Sequence, residues 1–267
     1  MNKKFEGKTP EEMRTLFHSN GLVVPTAGIC PGYVQANLVI VPGDCADEYL
    51  KFLKQNQKPC PILEVIRGTE PISKLIAPGA DITKDFPLYN VYIDGKLSRT
   101  EKSIEKLWTS DMMAVLIGCS LTFEEKLVKH GIEISNYKYN KRVPMYDTNI
   151  PCKPIGNFSG NYVVSMRPIP RDKVDIAIKI TSDMPYAHGA PVHLGSPQEI
   201  GIADIMRPDY GDPPEIDEGT VPVFWACGVT AQSVAIRCGP GIVIAHAPGY
   251  MLITDININD ADALKNF

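Results

Sequence analysis

The stretch from Gln35 to Ile66 constrains this chain most. Gln35-Ala-Asn-Leu-Val-Ile-Val41 is apolar and rich in β-branched residues, which predicts a strand. Asp44 and Asp47 then open an amphipathic helix through Tyr49, Leu50 and Leu53, which must stop before Pro59 because proline cannot continue a helix. Pro61-Ile-Leu-Glu-Val-Ile66 returns to a strand, so the whole stretch reads as a βαβ unit, which commits the chain to layers of sheet and helix.

The punctuation elsewhere agrees. Thr9-Pro-Glu-Glu12 supplies an N-cap, a proline at the first helical position and a capping glutamate, and Gly21 ends that helix. Asp94-Gly95 marks a hairpin within residues 90–97. Helices are expected at 101–107 and from Ser110 to about Gly118, and Thr122-Phe-Glu-Glu125 reads as a capping box for a helix closing at His130-Gly131.

In the second half, Tyr162–Met166, Pro191–Leu194, Val223–Ala226, 242–245 and 251–254 read as strands, the last two as a hairpin around Pro248-Gly249. Asp172 caps a helix to about Ser182, Ser196-Pro-Gln-Glu199 is a third capping box, and Thr230 caps a helix after Gly228. Strands alternating with helices predict an α/β fold of mainly parallel or mixed sheets with helices packed on them. With 267 residues, one domain spanning 1–267 or two closely packed lobes dividing near 150–160 both fit. Residues 132–160 read as irregular, and loops that long are often functional.

The charge balance of -4, with 22% charged residues, offers no basic excess to neutralise phosphates, so nucleic acid is not an expected partner. No apolar run approaches the roughly 18 residues of a membrane span, and no apolar segment follows the N-terminal Met-Asn-Lys-Lys. A cytoplasmic protein is expected. Its seven cysteines are scattered singly, which suggests small buried hydrophobes and a reactive thiol or two rather than disulfides or structural zinc.

Chemistry is most visible in Pro185–Pro197, which holds His188 and His193, two of five histidines. An offset of five suits neither a helical metal pair nor one face of a strand. The imidazoles converge only if Gly189-Ala-Pro191 bends. They could then act as acid and base, or ligate a metal, near neutral pH. The alternative is packing, with His193 on its short strand and His188 closing a loop. Cys227 sits between a strand end and a helix N-terminus, where free N–H groups favour a thiolate, and Cys119 has a similar frame; most single cysteines are nonetheless inert.

The two cysteine frames echo each other. Leu116-Ile-Gly-Cys-Ser-Leu-Thr122 and Phe224-Trp-Ala-Cys-Gly-Val-Thr230 share cysteine, a small residue, an apolar residue and threonine, a pattern short enough to recur by chance. Arg167 ends a strand where it could grip a carboxylate or form a structural ion pair. Tyr33, Gln35 and Asn37 alternate on one strand face, as a pocket wall or a wet edge would. His246 is expected to pair with Asp255 across the last hairpin. His18 and His130 sit at helix C-termini, where a cation offsets the dipole.

Several ordered motifs carry a resemblance over about Pro25 to Asp255. Pro31-Gly-Tyr-Val-Gln-Ala-Asn37, Leu116–Ser120, Val143-Pro-Met-Tyr146, Thr148-Asn-Ile-Pro-Cys152, Ser165-Met-Arg-Pro168, His188–His193 and Pro222–Thr230 are similar to the bacterial hydro-lyase family, also called the D-glutamate cyclase family. The sequence departs at Tyr250, where the family pattern His-Ala-Pro-Gly-His has a second histidine. The resemblance implies a cytosolic carbon–oxygen lyase of 5-oxoproline metabolism that closes D-glutamate to 5-oxo-D-proline with loss of water, helped by a divalent metal such as manganese. On that reading Arg167 binds a carboxylate, with Tyr33, Gln35, Asn37 and Thr148 lining the substrate site. His188 and His193 act as base and acid or hold the metal, Asn149 assists the oxyanion, and Cys227 is the candidate nucleophile of a covalent variant. Competing expectations are a dehydratase of a hydroxy acid, a thiol racemase of an acidic amino acid, and a non-catalytic binding protein. The expected partner is a small acidic molecule, with a homo-oligomer allowed.

Overall fold

The computed structural model, which describes residues 5–261 and 264, is built on two antiparallel sheets. The larger contains β1 (Tyr33–Val41), β2 (Ile62–Arg67), β3 (Tyr89–Ile93), β4 (Lys96–Glu101), β5 (Met113–Gly118), β10 (Ile242–His246) and β11 (Leu252–Asn257). Its order is β2-β5-β1-β10-β3-β4, with β11 pairing the first half of β1. The smaller contains β6 (Met145–Pro151), β7 (Asn161–Pro170), β8 (His193–Leu194) and β9 (Thr220–Ala226), in the order β6-β7-β9-β8.

Every strand pairing is antiparallel, which corrects the expectation of mainly parallel sheets. The expected βαβ unit is split. β1 and β2 run the same way around α2 (Gly43–Gln55), but β5 lies between them and pairs antiparallel with both.

The central strands are apolar on both faces because both faces of the large sheet are covered. β5 is buried at every residue and β1 at all but its first. On one face Val39, Val41, Val115, Ile117 and Val243 pack under α2 and α6 (Val229–Cys238), which are tied together where Tyr49 Oη donates to the Ala231 carbonyl at 2.9 Å. On the other face Leu38, Ile40, Leu116 and Ile244 pack with Phe123 of α3 (Leu121–Lys129), Ala177 of α5 (Val174–Ser182), and Val223 and Trp225 of the small sheet. The two sheets therefore share one core. Trp225 is fully buried in it, and its indole N–H donates to Thr181 Oγ1 at 3.1 Å. Replacing such a side chain by alanine costs about 3–5 kcal/mol.

The remaining helices are α1 (Pro10–Asn20) and the short α4 (Ser135–Lys138). The Thr9 capping box forms, with both reciprocal bonds, and Gly21 closes α1 in the left-handed region. The other two expected boxes do not form. α3 begins two residues earlier, at Leu121 with Ser120 as its N-cap, and Ser196 leads only into a 3₁₀ turn over Pro197–Ile200. The stretch Ser110–Gly118 is not a helix: its apolar run fills a strand buried on both faces, and residues 96–101 extend a hairpin where a helix was expected to begin. Nor do β10 and β11 form a hairpin; each pairs with a different half of β1.

Candidate functional site

Three strands end at one place. β5 leads into Cys119, β9 into Cys227, and β10 ends on His246; all three residues line a cavity of about 760 Å³ between the sheets. Asn37 of β1, Ser165 of β7 and Met145 of β6 complete its floor, and residues around Arg142 and Asp212 form its rim. Carboxyl ends of strands are where layered α/β folds place ligands.

Each cysteine directly precedes a helix. Burial pushes the Cys119 thiol up to about 12, and the Leu121 N–H pulls the other way. Burial also raises Cys227, opposed by the Val229 N–H, the Arg167 charge and the Gly228 N–H. Burial dominates in both, so both sulfurs are thiols in the free protein. The N-terminal ends of α3 and α6 also open on this region; their first-turn N–H groups are taken up locally by the two cysteines and by the Ser120 and Gly228 carbonyls, and the positive ends of the two helix dipoles favour a carboxylate.

His246 is 2% exposed, and its tautomer can be read from its neighbours. The Leu38 N–H donates to Nδ1 at 3.1 Å, so Nδ1 is the acceptor and Nε2 carries the proton. Gln232 Nε2 lies 2.7 Å from the same nitrogen. Burial lowers the pKa to about 4, so the ring is neutral at physiological pH and offers an N–H rather than a charge. The expected pairing with Asp255 is absent, because Asp255 holds Arg14 through two bonds of 2.9 Å.

Arg167 lies immediately behind the cavity wall, 1% exposed. It donates to Glu124 Oε1 through Nε at 2.8 Å and Nη2 at 2.6 Å, and stacks 5.0 Å from the Phe123 ring centroid. Nη1 donates to Ser165 Oγ at 2.8 Å and Nη2 also to Ser120 Oγ at 3.0 Å. A guanidinium only donates, so both serine oxygens accept from it and their own protons must point elsewhere. Ser165 donates to Ser120 at 3.4 Å, which leaves the Ser120 hydroxyl proton for the cavity.

The other predicted residues are placed as follows. Asn37 lines the cavity, with its amide nitrogen donating to the Ile117 and Gly118 carbonyls at 3.3 and 2.7 Å. Gln35 is buried nearby and donates to the Thr26 carbonyl, and Tyr33 packs with Ile29 and Cys30. Thr148 and Asn149 lie on edge strand β6, where the Thr148 hydroxyl donates to the Tyr162 carbonyl at 2.7 Å and Asn149 is exposed against Gly201. Neither is part of the cavity wall, and neither is His188 or His193.

His188 sits in the left-handed region at φ 77, its Nδ1 3.0 Å from the Lys58 carbonyl, while Lys58 Nζ donates back to the His188 and Ala190 carbonyls. This mutual clasp fixes the loop that was expected to bend the two histidines together. His193 Nε2 lies 2.6 Å from the Ser196 carbonyl. A resident metal does not fit this donor set. The His188 ring lies near the positive charges of Lys58 and Arg167, which oppose a cation, and among the described residues no three His, Cys, Asp or Glu side chains gather to hold an ion.

The sequence reading missed the cavity roles of His246, Ser120 and Ser165. For His246 and Ser120 the signal was position at or just past a strand's carboxyl end, a criterion applied to Arg167 and Cys227; Ser165 lies mid-strand in β7, and so does Arg167, which corrects its expected place at a strand end. The family model for D-glutamate cyclase matches residues 113–255, which hold both cysteines, both serines and His246. The chain belongs to the D-glutamate cyclase family. Three bacterial relatives, each named "Putative hydro-lyase", are similar over most of their length. Those of Bacillus licheniformis and Geobacillus kaustophilus are 50% and 51% identical, and that of Clostridium beijerinckii 50%, each covering 92% of this chain and 94% of its own. Among solved structures, a nitrogen repressor-like protein of Methanococcus jannaschii aligns over 95% of this chain and 97% of its own at 10% identity and a TM-score of 0.42, too distant to inform the fold. Among the described residues no helix is long and apolar enough to cross a membrane.

Proposed function

We propose that this protein is a lyase that closes D-glutamate to 5-oxo-D-proline with loss of water, using the cavity at the strand ends. The observation that carries the reading is the convergence of two helix N-termini, the Ser120 hydroxyl and a neutral His246 on one cavity of this family's fold. Family membership and the names of the relatives support the lyase class.

Cyclisation needs the α-carboxylate held, the amine brought to the γ-carboxyl carbon, and that carboxyl polarised. The positive ends of the α3 and α6 dipoles suit the α-carboxylate, with the Ser120 hydroxyl, oriented by Arg167, as the donor. Asn37 has its amide oxygen left for the substrate's amine, since its nitrogen is engaged by two carbonyls. The Nε2–H of His246 serves the γ-carboxyl oxygen as charge develops there. Fixing amine and carboxyl in contact does much of the work, because well-oriented intramolecular reactions reach effective molarities on the order of 10⁵ M or more. No step here runs through a metal.

The test is incubation with D-glutamate, in parallel with manganese and with a chelator, followed by chiral chromatography for 5-oxo-D-proline. Product in both arms is expected, with His246→Ala lowering kcat by about 100-fold. A folded protein that forms no product in either arm sinks the reading.

A further inference from the structure

We propose that the same cavity also supports a two-thiol proton transfer at Cα of a small acidic amino acid, with Cys119 and Cys227 as the acid–base pair. The substrate class rests on the reading above; the activity is separate from cyclisation.

The argument begins with the repeated segments 116–122 and 224–230, which the structure uses as one device twice. In each, a central strand ends, a cysteine follows, and a helix starts within two residues. In each, the threonine N–H donates to the cysteine carbonyl, at 3.1 Å for Thr122 and 3.0 Å for Thr230. In each, the threonine hydroxyl accepts an N–H from the adjacent strand: Gln35 of β1 at 3.2 Å, and Val163 of β7 at 2.9 Å. One copy belongs to the seven-stranded sheet and the other to the four-stranded sheet, yet both sulfurs line one cavity.

Two contacts join the half-sites. Asn37 donates to the carbonyl of Gly118, the residue before Cys119, and stands where a side chain on Gly228, the residue after Cys227, would have to go. Ser165 reaches Ser120 at 3.4 Å. Asn37 itself is 4% exposed in the cavity wall, and its amide nitrogen is held by the Ile117 and Gly118 carbonyls, which turns its amide oxygen away from them. A pair of thiols delivered from two matched frames, beside two helix N-termini whose dipoles suit a carboxylate, is an arrangement that one-sided acid–base chemistry does not require.

The step balances without a co-reactant. Both sulfurs are thiols in the free protein; binding of the substrate ammonium favours loss of one thiol proton to solvent. The thiolate takes the α-proton, so a C–H bond breaks and an S–H bond forms. The electron pair passes toward the α-carboxylate held at the helix N-termini. The second thiol then returns a proton to the other face of Cα. The configuration inverts, no atom is gained or lost, and the two sulfurs have exchanged protonation states, ready for the reverse turnover.

The test is incubation of the native protein with L-glutamate and with D-glutamate in D₂O, reading deuterium at Cα by proton NMR and the enantiomer ratio by chiral chromatography. Deuterium at Cα with interconversion of enantiomers is expected, and Cys119→Ser and Cys227→Ser should each lower interconversion by about 100-fold or more. Each single variant should retain α-exchange with one enantiomer only, the mark of one surviving base. Absence of α-deuterium with the native protein overturns the proposal, as does undiminished exchange in the double Cys119→Ser, Cys227→Ser variant. Lactam formation is read separately in the same samples, so loss of cyclisation and loss of exchange are distinguished.

Discussion

Arg167 shows how one side chain can organise a site it does not enter. Its charge is buried with Glu124, itself 0% exposed, so removing either member leaves the other's charge buried without its counter-ion. Truncating one partner of such a pair strands a charge in the core, which typically costs about 3–5 kcal/mol. Arg167→Ala is therefore expected to lose stability of that order in urea unfolding, and adding Glu124→Gln should recover part of it. A loss under about 1 kcal/mol would show that the pair is not holding the core. Arg167 was legible in the sequence as either a carboxylate grip or an ion pair; the deciding partner lies 43 positions away on another element. His246 carries the opposite lesson. Its place at a strand end was visible, but its tautomer depends on a backbone N–H 208 positions away.

At the scale of elements, the strand-to-helix turns are the critical joints. Gly118 ends β5 with its Cα against the Tyr186 carbonyl, where any Cβ would overlap backbone. Neither side can yield cheaply, because Tyr186 belongs to the 3₁₀ turn that leads into the clasped His188 loop. Gly118→Ala should thus shift the turn carrying Cys119 and destabilise the fold by about 1–3 kcal/mol. Thermal unfolding together with D-glutamate turnover checks this; a variant with native Tm and native turnover would mean the turn has room. Glycine at this position was readable as part of a motif, whereas the contact that requires it was not, since Tyr186 lies 68 residues downstream. The misread element beside it has a similar cause. The run Met113–Gly118 has no periodicity to separate a buried strand from a buried helix, and only its pairing with β1 and β2 decides.

For the whole molecule, the two fully buried histidines set an acid limit. Burial lowers His188 and His246 from 6.5 to about 4, so the folded state binds protons less readily than the unfolded chain. Their contribution is complete above pH 6.5 and is lost as pH falls toward 4, by about 3 kcal/mol each. Urea unfolding measured between pH 7 and 4 should show that decline, and the double variant His188→Asn, His246→Gln should flatten it; an unchanged slope in the variant would assign the decline elsewhere. The sequence by itself determined the capped first helix, the Asp-Gly hairpin and strands β1, β2, β7, β9 and β10. These follow from local rules, namely cap geometry, turn chemistry and apolar runs. Tertiary structure alone decided the direction of the sheets. Strands buried on both faces have the same composition whether parallel or antiparallel, and here helices on one face and a second sheet with α3 and α5 on the other bury the central strands of an antiparallel sheet. It also decided which polar residues meet. Cys119, Cys227 and His246 end strands far apart in the chain, and only the packing of one sheet on the other brings them to a single cavity.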